Sequence, residues 1–241
     1  MILRCQMAVI AILLALVASS CGSLTAQPGA APTRPDQVLS FEVLYAQNCS
    51  GCHGPNGSGG AAFPVADPVY LATIDDATLR KMIAEGVPNS LMPAFAQSAG
   101  GMLTDQQVDA IVQGMRRHWA RPGVLAGAAP PPYSAPVPGD PQRGAGVYIT
   151  FCASCHGPEG KGTAKASSIV DGSYLGVVSN QELRTAVICG RPDLNAPDWR
   201  SDVPRRAMTD QEISDVVAWL VSKRPQFPGQ PYPGQATGGS Q

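Results

Sequence analysis

The sequence predicts an all-α protein of two small domains in tandem, joined by a Pro/Ala-rich linker. Three observations predict it. A block of about 85 residues is written twice. In each copy, helix-period segments open on Asp, Ser or Thr and one of them stops at Gly. Between the copies runs RPGVLAGAAPPPYSAPVPGDP, whose prolines favour an extended, semi-rigid spacer outside any core.

The repeat holds over nearly its whole length. Shifted by 103, YAQNCSGCHGPNGSG at 45–59 falls on YITFCASCHGPEGKG at 148–162, pairing Tyr45 with Tyr148. Shifted by 104, residues 70–95 fall on 174–199; shifted by 105, LTDQQVDAIV at 103–112 falls on MTDQEISDVV at 208–217. Two one-residue insertions reconcile the copies. A period this long is too coarse for a solenoid and reads as duplicated domains, at 37–121 and 140–226, with the linker at 122–139.

Within each copy three helices are expected. LSFEVLYAQN and QRGAGVYITF lead into the shared Cys motif. DDATLRKMIAEG and SNQELRTAVICG begin at Asp75 or Ser179 and end at Gly86 or Gly190, with Ser179 and Glu182 at capping-box spacing. The closing helices start at Thr104 and Thr209 as N-caps.

The first residues predict the compartment. Arg4, an apolar run from Met7 to Val17, and the small residues Ala18, Ser19 and Ser20 have the layout of a secretory signal peptide over 1–20, too short an apolar run for a membrane-spanning anchor. Small residues directly before Cys21 resemble the bacterial lipoprotein signal, although Ala18 stands where Leu is more usual. Lipidation of Cys21 is the expectation and simple cleavage the alternative. Residues 21–36 would then be a flexible tether and 227–241 a disordered tail. This places the chain on the periplasmic side of a bacterial membrane, held by lipid. A formal net charge of −1 and only 15% charged residues argue against a nucleic-acid partner.

Export sharpens the reading of the cysteines. Four of them form the pairs Cys49/Cys52 and Cys152/Cys155, each followed at once by a histidine, His53 or His156. C-x-x-C-H is the attachment sequence of c-type haem. Thiols three residues apart on one helical turn can each add to a haem vinyl group, and the adjacent His lies under the iron. A four-Cys zinc site or a thioredoxin-like pair would also use C-x-x-C, but neither predicts the histidines. Two haem c groups are therefore expected. A domain of this size with so few aromatics needs its cofactor to fold.

With these motifs in place, each half resembles a class I cytochrome c domain, and the chain resembles an exported dihaem cytochrome c. The resemblance implies a fold in which one histidine and one methionine clamp the iron, and a role carrying single electrons between redox partner proteins. In the first half Met92, in LMPAF, matches the axial position, with Pro93 holding the backbone beside it. Met82 and Met115 are expected in the core and Met102 as an apolar anchor. In the second half Ala196 stands where Met92 would, leaving Met208 either as the sixth ligand or, aligned with Leu103, as a core residue before Thr209. Cys189 reads as a small buried hydrophobe.

Tyr70 and Tyr174, with Phe95 and Trp199, are expected to pack around haem, with a propionate hydrogen bond from Tyr174 or Trp199 as an option. Arg116, Arg117, Arg121, Arg200, Arg205 and Arg206 either guide docking to an acidic partner or are solvated helix ends, and His118 reads as a surface residue. The competing functional class is a haem enzyme or ligand-binding protein using an open sixth position on the second haem. Only Asp198 and Arg200 stand near Ala196 to serve catalysis, so no catalytic residues are assigned.

Overall fold

The computed structural model describes residues 33–88, 90–200 and 206–225. Among these, regular structure is helical, with two isolated backbone bridges and no strand. The described residues from Val38 onward form one compact unit that holds the helices of both copies. The signal peptide, Cys21, most of the tether, Arg205 and the tail lie outside the described residues.

Among the described residues each copy has five α-helices and one 3-10 turn where the sequence predicts three helices. The first has α1 (Phe41–Asn48), α2 (Ser50–His53), α3 (Pro68–Thr73), α4 (Asp76–Glu85) and α5 (Asp105–Trp119). The second has α6 (Pro141–Phe151), α7 (Ala153–His156), α8 (Gly172–Val177), α9 (Asn180–Cys189) and α10 (Asp210–Ser222). Caps set the boundaries: Thr104 and Thr209 each make a full capping box with Gln107 or Glu212. Ser179 accepts from Glu182 N–H. The extra helices α3 and α8 start at Asp67 and Asp171, whose carboxylates accept from Tyr70 N–H and Tyr174 N–H.

In both copies the first and closing helices pack against each other, but the volumes are exchanged. Phe41 on α1 lies against Gly114 on α5, where an added Cβ would come within 2.1 Å of the ring. In the second copy the glycine is on the first helix, at Gly144, and the bulk is Trp219 on α10, stacked on Tyr148 at 4.1 Å between ring centroids. Burying a side chain of this size contributes roughly 1.5–3 kcal/mol. Tyr148 and Ile213 are fully enclosed.

The linker departs from the expectation of a spacer. Its carbonyls at Pro132 and Tyr133 accept from Arg184 on α9, and Tyr133 O also accepts from Gln181. Tyr133 Oη reaches Met82 Sδ on α4 at 3.1 Å. Buried polar groups need partners, and Arg184 finds its own in this strap, so composition alone misjudged the segment. The strap bridges the two copies alongside the packing of α3 against α9.

Candidate haem sites

Each Cys motif begins as a continuation of the first helix. Cys49 N–H donates to Tyr45 O, and His53 N–H to Cys49 O at 3.0 Å; Cys152 and His156 repeat this with Tyr148 O and Cys152 O. The turn must then stop. Gly54 and Gly157 end it at φ 79° and 78°, a region costly to any residue with a Cβ, and a Cβ on Gly54 would stand 1.8 Å from Ser58 O. The carbonyl freed at each glycine is taken by a tyrosine: Tyr45 Oη donates to Gly54 O at 2.9 Å and Tyr148 Oη to Gly157 O. The paired tyrosines of the repeat therefore lock the motif to the first helix. Sequence reasoning paired them without finding this role.

The thiols are free in both pairs, with Cys49 and Cys152 half-buried and Cys52 and Cys155 exposed. Burial, and then the neighbouring cysteine, pushes the Cys49 and Cys152 thiols up to about 12.

The histidines share one arrangement. His53 Nδ1 lies 2.8 Å from Phe63 O, and His156 Nδ1 lies 2.8 Å from Ser167 O. A carbonyl can only accept, so Nδ1 carries the proton and Nε2 keeps its lone pair. Such a bond to the backbone fixes the ring and leaves the other nitrogen to bind metal. Two free thiols and an oriented imidazole lone pair on one turn fit haem c in each half. Among the described residues, no His/Cys/Asp/Glu cluster suits a bare metal ion.

The loops after α4 and α9 carry the positions where the resemblance implies a sixth ligand. Val87 N–H donates to Met92 O at 3.1 Å, and Arg191 N–H to Ala196 O at 3.0 Å. Backbone hydrogen bonding thus places Ala196 where the first half has Met92. Met92 is half-buried against the core. Leu103 N–H donates to Phe95 O at 2.7 Å and Met208 N–H to Trp199 O at 2.8 Å. Both side chains are buried. That backbone pairing sets Met208 at the Leu103 position of the repeat.

Other expectations fare unevenly. Met115 is buried, whereas Met102 is 81% exposed and anchors nothing; Leu103 beside it is the buried residue. Tyr70 and Trp199 are buried, Phe95 half-buried, and Tyr174 partly exposed. His118 lies on Phe41 with ring centroids 5.0 Å apart, 3.3 Å from Glu42. Three arginines proposed for docking are committed internally. Arg116 holds Asp76, Leu71 O and Ile74 O; Arg200 holds Asp198 and Val124 O; Arg206 holds Glu212. Arg117 and Arg121 are exposed. Cys189 is buried and faces a cavity of about 530 Å³ that Asp67, Ala196, Asp198 and Arg200 also line.

Comparison with known proteins agrees with this geometry. A family model described as cytochrome c oxidase, cbb3-type, subunit III matches residues 36–113, and one described as cytochrome c matches residues 141–223. The cbb3-type cytochrome c oxidase subunit FixP of Azorhizobium caulinodans is 29% identical over 144 residues, covering 56% of this chain and 44% of that protein. Subunit CcoP of Rhodobacter capsulatus is 25% identical over 185 residues, 72% of this chain and 58% of that one. The chain thus spans about half the length of these relatives. A solved Kuenenia stuttgartiensis reducing HAO-like protein complex aligns at 20% identity and a TM-score of 0.43, covering 77% of this chain and 96% of that one, too distant a likeness to bear on function. With an attachment motif near the start of each matched span, the chain is a dihaem cytochrome c made of two cytochrome c domains in tandem, each with covalent haem c.

Proposed function

We propose that this chain passes single electrons between redox partner proteins, with a haem held by Cys49 and Cys52 in the first half and by Cys152 and Cys155 in the second. The observation that carries the reading is the repeated motif with both imidazoles held in the same tautomer by a backbone carbonyl. When bound, haem supplies a one-electron iron couple, and a methionine ligand raises its potential. The protein's residues do the rest. His53 and His156 present Nε2 to the iron, Met92 presents a thioether, and Tyr45 and Tyr148 keep the attachment turns from shifting.

The domain boundaries proposed are 37–121 and 140–226. The relatives are subunits of cbb3-type oxidases, which supports a role as an electron-transfer subunit of a membrane respiratory complex. Among the described residues no helix is long and apolar enough to cross a membrane. The proposed attachment is a lipid on Cys21, supported by the small residues Ala18, Ser19 and Ser20 directly before it, after export of the chain to the periplasmic side.

Expression with export tests the reading. The membrane fraction should yield a coloured protein whose two haems are reduced by a small donor and reoxidised by a soluble cytochrome acceptor, and Cys21→Ser should move it to the soluble fraction. A coloured protein that exchanges electrons with neither contradicts the proposed role.

A further inference from the structure

The halves differ where an iron ligand is expected. Two reciprocal backbone bonds, each 3.0 Å, tie Arg191 to Ala196, the Arg191–Asp193 ion pair braces the same loop, and Asn195 turns it at φ 60°. The register is fixed by these contacts, so no neighbouring residue slides into the place of Ala196. Alanine lacks the Cγ, Sδ and Cε atoms of methionine and has no donor.

Met208, Cys189 and the lysines of the second half occupy other places in the fold. Met208 packs in the core at the Leu103 position, 7% exposed. Cys189 is buried on α9, and its thiol is raised by burial. Lys161 pairs with Glu159 at 2.6 Å, Lys165 belongs to the loop that holds His156, and Lys223 lies over the Trp219 ring. The stretches SDVPR at 201–205 and QFPGQPYPGQATGGSQ at 226–241 contain no methionine, histidine, cysteine or lysine.

Resting on the reading of His156 as a haem ligand, we infer that the iron of the second haem has no protein ligand opposite His156, and that this position takes a neutral diatomic ligand in the space Ala196 leaves. Room and charge both point to that class. The Cγ, Sδ and Cε atoms that Ala196 lacks leave that room, and the cavity of about 530 Å³ that Ala196 lines is shared with Asp67, Pro68 and Val69 of the first half. The arginines near it are neutralised, Arg200 by Asp198 at 2.5 Å and Arg191 by Asp193 at 2.8 Å. Asp67 adds a carboxylate on the cavity wall, so nothing there recruits an anion.

The probe is carbon monoxide, added to the reduced full-length holoprotein. One molecule per chain should bind, shifting the bands of a single haem, and the oxidised protein should show one high-spin centre. Ala196→Met should abolish the shift and add a second thioether-to-iron band in the oxidised spectrum. Met208→Leu, which copies the first half, should change neither. A holoprotein with two haems that binds no carbon monoxide, or in which M208L removes a thioether band, overturns the inference. So does carbon monoxide binding that A196M leaves intact. A colourless chain rejects the cytochrome reading itself, a separate outcome.

Discussion

Arg80 and Arg184 occupy the same place in the repeat, and each pairs with the first acidic residue of its closing helix, Asp105 or Asp210. Their surroundings differ. The Arg80 side chain is 38% exposed, whereas that of Arg184 is 3% exposed because the linker lies over it and spends two carbonyls on its guanidinium. The same ion pair is thus a surface contact in one half and the floor of an interdomain joint in the other. Duplication conserved the pairing, and burial changed what it does. The second half is further braced by Arg143, which grips the buried Asp215 with two bonds of 2.8 Å, while the repeat puts Ser40 and Ala110 at those places in the first half.

The largest contrast comes from removing a cofactor. Cys152→Ser with Cys155→Ser should release the second haem, and hydrogen exchange should then show α6 to α10 losing protection while α1 to α5 keep theirs. Loss of protection throughout would show that the halves fold as one unit. Next comes the arginine pair itself. Arg184→Ala leaves Asp210 and Pro132 O without their partner, while Tyr133 O keeps Gln181, and should cost about 3–5 kcal/mol in urea unfolding. Arg80→Ala should cost about 1 kcal/mol or less. Equal costs would break the comparison.

The exchanged volumes give a subtler test. Gly114→Ala and Gly144→Ala should each cost about 1–3 kcal/mol through overpacking. The clash at Gly114 is with the Phe41 side chain, so Phe41→Ala should relieve it, with a coupling of about 0.5–3 kcal/mol. At Gly144 the added Cβ meets Asp215 O at 2.0 Å, a backbone atom that cannot be truncated, and no partner substitution should relieve it.

Acid should separate the halves least sharply. The hydrogen-bonded Arg206 guanidinium holds Glu212 down to about 2 from an ordinary 4.5, and Arg143 likewise lowers Asp215. A depressed carboxylate stabilises the fold fully above its unfolded pKa and loses that contribution as pH falls through the folded one. The second half should therefore weaken progressively between about pH 4.5 and 2. Glu212→Gln should flatten that decline, as read by the stability of α10 on acid titration.

Much of this was legible because it is local. Caps at Asp75, Thr104, Ser179 and Thr209 need only a few neighbouring residues, and the Cys motif with its glycine needs a single turn. Helices α3 and α8 carried a signal too, in Asp67 before Pro68 and in Asp171, but each is one and a half turns long and shows little apolar period. The strap was not legible. Its prolines describe backbone stiffness, whereas its docking depends on Arg184, some fifty residues later, having donors left over after Asp210 and Ser214. The Phe41/Gly114 and Gly144/Trp219 exchange lies between, invisible within one copy and readable once the copies are aligned. Met102 was misjudged because adjacent Leu103, not Met102, faces the core, and spacing before a cap did not decide between them.

The central claim is that haem is joined through thioethers to both cysteine pairs. Mass measurement of the exported, purified chain under denaturing conditions tests it most directly. Two haem masses should remain attached, and conversion of either cysteine pair to serine should remove one of them. A chain that travels without bound haem, or keeps both after either pair is converted, contradicts the account.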